Sequence, residues 1–279
     1  MSVRPAFSAA FEAEQLQMLE ALLPVEDITP EWAWGGATGK GVKVAVVDSG
    51  VDADHPVIDG RVAGYMAISV SDGGDLMFDD SPHEDNSGHG TACAGIILGL
   101  APECELYSVR VLGRRGGKGS ALVAGIRWVI EHGMQVTNLS LGTTKRDFFG
   151  TLHELTDEAY FRHLVLVTAA NNFPIPSFPC EYASVISVAS HETNDPFLFY
   201  YNPVPPTEFG AFGIDVPAAW KGGGVSKVTG NSVAAPHITG IVARILEKYP
   251  SLTVFQTKGI LRALAANVRR GPPVNAPGA

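Results

Sequence analysis

Apolar positions along this chain gather into short unbroken runs separated by stretches of helical period, and the alternation begins at residue 41. Residues 42–47, 106–112, 136–141, 164–170 and 184–189 are such runs, rich in aliphatic and β-branched side chains and too short for helices. Between them, 90–98, 120–132 and 151–163 read as helices. Strands apolar on both faces, alternating with helices, predict a parallel sheet covered on both sides with right-handed crossovers. After residue 190 the pattern changes. Residues 191–224 are rich in Pro, Gly and aromatics and read as loops with short β pieces; helices follow over 232–249 and 253–266. The expected class is α/β, a three-layer fold with a central, mostly parallel sheet flanked by helices.

At the start of the chain, Phe7, Phe11, Leu16, Leu19 and Leu23 recur at helical spacing, so a short amphipathic helix is expected there. Glu12, Glu14 and Glu20 interrupt any apolar core of a secretion signal, which makes the cytoplasm the expected location. With 46% hydrophobic residues the chain is not disordered, and its apolar runs fall short of the roughly 20 residues a membrane span needs. A net charge of −9 argues against a nucleic-acid or anionic-membrane partner. Cys93, Cys104 and Cys180 form no CxxC pair, so zinc has no support and thiols are expected.

In open parallel sheets, functional groups gather at the carboxyl ends of strands. Asp48 closes the run 42–47, and Asn172 follows 164–170; His89 and Ser232 stand at helix starts. An acid, an imidazole, a hydroxyl and an amide are what acyl transfer through a serine nucleophile requires. Ser232 at a helix start has free N–H groups around it, which favour developing negative charge. Each residue alone is ordinary turn or cap chemistry.

The flanking residues carry more. Val44-Ala45-Val46-Val47-Asp48-Ser49-Gly50 and His89-Gly90-Thr91-Ala92-Cys93-Ala94-Gly95 resemble the aspartate and histidine blocks of the subtilisin-like serine peptidases. Gly230-Asn231-Ser232-Val233-Ala234-Ala235-Pro236-His237 resembles their serine block, and Ala169-Ala170-Asn171-Asn172 their oxyanion loop. The order Asp, His, Asn, Ser is also theirs, and the likeness covers residues 33–266. The layout resembles a compact intracellular-type member with a proteinase K-like cysteine, Cys93, in the histidine block.

That resemblance implies a catalytic domain over 33–270, a short extension over 1–32 and a frayed tail over 271–279. It implies Asp48, His89 and Ser232 as a triad, Asn172 as an oxyanion donor, and a serine endopeptidase acting through an acyl-enzyme, with maturation of a precursor or leader peptide as one role. The alternative is a peptide ligase or macrocyclase using the same acyl-enzyme; a silent peptide-binding protein is a third reading. Substrate is expected as an extended polypeptide between Ser140-Leu141-Gly142 and Arg115-Gly116-Gly117. Ala169, Ala170, Phe173 and Ser177 would complete a first specificity pocket without an acidic residue, suited to an uncharged apolar side chain. Asn231 and Val233 depart from the usual Thr and Met, Asn231 altering oxyanion support without abolishing it. Pro236 is expected in the first helical turn, where a missing N–H costs little. The residues of the tightest calcium loop are missing, so no cofactor is required, while Asp215 matches a ligand of one weak calcium site. The acidic stretch 72–85 is expected as a solvated loop. A homo-oligomer is left open.

Overall fold

The computed structural model describes residues 28–113 and 116–268. The helix expected over 7–23 and the tail from 271 lie outside the described residues. Packing against the main body is already present at Ile28, which is buried, and Trp32, whose ring stacks on Tyr249. Thr29 caps the short helix α1 (Pro30–Trp34).

Nine strands form the central sheet: β1 (Lys43–Asp48), β2 (Gly64–Val70), β3 (Leu76–Asp79), β4 (Glu105–Arg110), β7 (Val136–Leu139), β8 (Val165–Ala169), β9 (Ile186–His191), β10 (Phe199–Tyr201) and β11 (Phe209–Phe212). Their order is β10-β11-β9-β8-β7-β1-β4-β2-β3. Every pairing is parallel except the edge pairs β2–β3 and β10–β11. Two hairpins lie outside the sheet: β5 (Leu112–Gly113) with β6 (Gly116–Gly117), and β12 (Val216–Trp220) with β13 (Gly224–Val228).

The apolar runs account for the middle of this sheet. Val44 to Val47 are fully buried in β1 and Val165 to Val167 in β8, because helices cover both faces. One core holds α2 (His89–Leu100), α5 (Asn231–Lys248) and α6 (Val254–Leu264); the other, across the sheet, holds α3 (Gly119–Glu131) and α4 (Phe149–Phe161). β1 pairs with β4 on one side and β7 on the other, so the chain reverses its direction of travel at β1. A crevice opens at the carboxyl end of such a strand, and Asp48 is the last residue of β1. Among the described residues, no helix is long and apolar enough to cross a membrane.

The stretch 72–85 departs from a plain solvated loop. Leu76–Asp79 pairs with β2 as a fully exposed edge strand, and Asp85 is buried.

Candidate active site

Asp48 is fully buried at the end of β1, and both of its carboxylate oxygens lie 2.9 Å from Nδ1 of His89, the first residue of α2. Oδ1 also accepts from the Ser49 N–H at 2.7 Å. The Asp48 charge raises the His89 pKa above its ordinary value, overcoming burial, which acts the other way. With Nδ1–H directed at Asp48, Nε2 is left as the proton acceptor. Gly90 is required by closeness: a Cβ there would sit on the Gly50 carbonyl oxygen and 3.3 Å from the Asp48 Cβ.

The helix that presents His89 is anchored by Asp85, a residue the sequence motifs did not single out. Its Oδ1 accepts from Ser49 Oγ, Ser87 N–H and Gly88 N–H at 2.7–2.9 Å. Oδ2 accepts from the Thr91 N–H and hydroxyl. Burial pushes this carboxyl up, but the donors from Thr91, Gly88, Ser87 and Ser49 outweigh it and hold the pKa below the usual range. Asp85 is therefore an ionised clamp on N–H groups that an α-helix start leaves unpaired. The only sequence signal for it is an acid four residues before the helix.

Ser232 is the second residue of α5. Its carbonyl would ordinarily pair with the N–H four residues on, but that residue is Pro236, which has none. Pro236 is the sixth residue of the helix, beyond the first turn where it was expected. Two side chains take over: Ser140 Oγ donates to Ser232 O at 2.6 Å, and Cys93 Sγ donates to it at 3.6 Å. The missing N–H thus ties the Ser232 backbone to the end of β7 and to α2. Cys93 also closes the distance to the acid and imidazole: its sulfur, an Asp48 oxygen and a His89 ring nitrogen all lie within 4.8 Å of one another. Burial and then the Asp48 charge push the Cys93 thiol well up, so it remains protonated. Among the described residues no hydrogen bond yet joins His89 Nε2 to Ser232 Oγ, a contact that commonly tightens only with substrate.

Asn172 is exposed, and its Oδ1 accepts from the Asn231 N–H at 2.9 Å, which turns Nδ2 away as a free donor. A point at the Cβ position of Gly230 would be 3.4 Å from Ser232 Oγ and equally far from both Asn172 amide atoms, so hydroxyl and amide border one small space. Asn231 faces away from it. Its Oδ1 accepts from Ser190 N–H, and its Nδ2 donates to the Ala170 and Asn171 carbonyls. Its contribution is to lock the loop at Ala170–Asn171 to the start of α5.

The remaining expected residues divide into groups. Ser140 is buried beneath Ser232, with Leu141 and Gly142 continuing past the end of β7. Thr143 and Phe178 exchange two backbone hydrogen bonds, which brings Gly142 against the Phe178 carbonyl. Ser177 is thereby placed below Gly142. Ala169 is buried at the end of β8, Ala170 is bonded to the Val188 carbonyl, and Phe173 stands 71% exposed. Gly116 and Gly117 form the exposed strand β6; Arg115 lies outside the described residues. One feature runs against the sequence expectation: the Glu181 carboxylate accepts from Ser177 N–H at 3.1 Å, so an acidic group does reach this region. All three cysteines are free and buried.

Asp215 is exposed at a positive-φ turn, with its N–H bonded to Thr229 Oγ1, and among the described residues it shares no cluster of three His, Cys, Asp or Glu side chains.

The subtilase family profile matches residues 39–277. The thermostable alkaline protease of Halalkalibacterium halodurans is 35% identical over 78% of this chain, and this chain spans 60% of that protein's length. Subtilisin DY of Bacillus licheniformis is 32% identical over 84% of this chain and 86% of its own. A cold adapted subtilisin-like serine proteinase of known structure superposes with a TM-score of 0.65 at 26% identity, covering 82% of this chain and 83% of its own. A match of this extent, on a fold that carries Asp48 to His89 and sets Ser232 beside Asn172, places the chain in the subtilase family, the subtilisin-like serine peptidases.

Proposed function

We propose that this protein is a serine endopeptidase that cleaves an extended polypeptide through an acyl-enzyme on Ser232. Ser232 Oγ attacks the scissile carbonyl carbon while its proton passes to His89 Nε2, and Asp48 stabilises the imidazolium that forms. The oxyanion accepts from Asn172 Nδ2 and the Ser232 N–H. His89 then gives its proton to the departing amine, and water, activated in the same way, releases the acyl group. The observation that carries this reading is the two-oxygen contact of a fully buried Asp48 with His89 Nδ1, a pairing that fixes the tautomer needed at Nε2.

Substrate would lie between the backbone edges at Ser140–Leu141–Gly142 and Gly116–Gly117. Such pairing binds main chain and makes few demands on side chains. We assign the physiological substrate to precursor polypeptides that present a cleavable leader in extended form. No step passes through a metal ion.

Labelling with a fluorophosphonate tests the nucleophile: the native chain is modified at Ser232, and Ser232→Ala is not. Absence of labelling in the native chain would overturn the assignment. Mass spectrometry of products then separates hydrolysis, which adds one water per cleavage, from ligation, which adds none.

A further inference from the structure

Gly95 and Gly99 are four residues apart on α2 and therefore share one face of that helix. Gly95 lets Ala219 of the hairpin approach closely, and beside it, at Gly99, an open cleft of about 390 Å³ lies between α2, the β12–β13 hairpin and α5. That size is within the range of small-molecule sites. Its walls are mostly apolar, with Ile96, Leu100, Phe212 and Val225 among them; Asn194 and His237 are the polar side chains, and among the described residues no charged side chain lines it. A position at the Gly99 Cβ meets open space.

One buried polar group borders this cleft. His237 on α5 is 3% exposed, and its Nδ1 pairs with the Val233 carbonyl at 2.9 Å. A carbonyl only accepts, so Nδ1 carries the proton and Nε2 presents a lone pair, for which no partner occurs among the described residues. Burial pushes the His237 pKa down to about 4, so the ring is neutral near pH 7. Nε2 keeps access to the cleft, so an apolar ligand seated there would strip it of water and leave it unpaired, whereas a ligand hydroxyl replaces the bond it displaces.

We propose that this cleft binds a small uncharged molecule with an apolar body and one hydroxyl, of the phenol class, whose O–H donates to His237 Nε2. A carboxylate or phosphate is disfavoured, since no cation lines the walls and a neutral Nε2 offers no proton. The site is separate from the crevice at Asp48 and does not rest on the peptidase reading.

The test compares 4-methylphenol with toluene, which has the same apolar body without the hydroxyl, on the full chain labelled with ¹⁵N at histidine. The expected result is a shift of the His237 Nε2 resonance on adding 4-methylphenol, with affinity roughly tenfold above that of toluene, as one neutral hydrogen bond provides. Gly99→Leu, which fills the cleft without touching His237, removes binding of both molecules while the variant still unfolds cooperatively. Equal affinity for the two probes, an unmoved His237 resonance, or binding that survives in a cooperatively folded Gly99→Leu would each overturn the proposal.

Discussion

Two imidazoles on neighbouring helices, His89 on α2 and His237 on α5, differ in one partner. Both use Nδ1 to donate inward: His89 to the Asp48 carboxylate, His237 to the Val233 carbonyl. Burial depresses both pKa values. The Asp48 charge reverses that effect for His89, whereas nothing does so for His237, which stays at about 4. A carbonyl dipole orients a ring but cannot hold an imidazolium, so only His89 is equipped to take a proton from Ser232 and keep it while the bond breaks.

The sharpest way to break this contrast is to make the His89 partner neutral as well. Asp48→Asn removes the charge and lets the amide donate, which favours the wrong tautomer; turnover on a peptide amide should fall about 10⁴-fold, the size of loss known for this change in an unrelated triad. The native enzyme loses activity as pH falls through the raised His89 pKa, so its acid limb lies above the ordinary imidazole value of 6.5. In Asp48→Asn the limb should move down. A loss smaller than tenfold, or a limb that does not move, would show that the charge is not what separates the two rings.

A second arm concerns the clamp that holds His89 in place, for which His237 has no counterpart. Asp85→Asn keeps the shape of the side chain but directs an amide N–H at donors on one side. Hydrogen bonds to charged groups contribute about 1.5–3 kcal/mol each, and several are affected, so a destabilisation of about 3 kcal/mol is expected in urea melts. Because Asp85 acts through the placement of His89, kcat should fall with KM little changed. A variant of native stability and native kcat would remove Asp85 from the account.

Those two residues were unequally legible in the sequence. Asp48 sits at the end of an apolar strand, and the blocks flanking it, His89, Asn172 and Ser232 resemble those of the subtilisin-like peptidases, which is what singled the four out. Asp85 lies in an acidic stretch that reads as solvated; its donors Ser87, Gly88 and Thr91 are local, but only the fold brings Ser49 from the end of β1 and buries the carboxylate. β3 was illegible for a related reason: all four of its residues are exposed, so there is no burial pattern to read. Val44–Val47, buried on both faces, left an unmistakable one. Glu181 escaped because the turn that folds its side chain back to Ser177 N–H has no periodic signature.

The two rings should also contribute to stability with opposite dependence on pH. His237 has a folded pKa below its unfolded value, so the unfolded chain binds the extra proton and the native state loses stability as pH falls from about 6.5 towards 4. His83, also held near 4 by burial, adds to the same window. His89 has a raised folded pKa; its contribution is complete below pH 6.5 and is lost as pH rises through the folded value. Asp85, with a depressed pKa, acts only at lower pH, around and below its ordinary value of 3.8. Comparing denaturation midpoints at pH 7.5 and 5, His237→Gln should lose less stability on acidification than the native chain. An identical loss would mean that His237 is not kept neutral by its surroundings.

The smallest expected effect tests the substitution of side-chain bonds for a helical one at Ser232. In the native chain Pro236 leaves the Ser232 carbonyl to Ser140 Oγ and Cys93 Sγ. Ser140→Ala removes the shorter of these bonds and should cost about 1 kcal/mol. Pro236→Ala supplies an N–H one turn away that can pair with the same carbonyl, so Ser140→Ala made in that background should cost less. The double-mutant cycle isolates the coupling, because both changes act on one oxygen. A coupling of zero would mean that the two donors serve the carbonyl independently, and the reason for a proline at the sixth position of α5 would have to lie elsewhere than in tying Ser232 to β7.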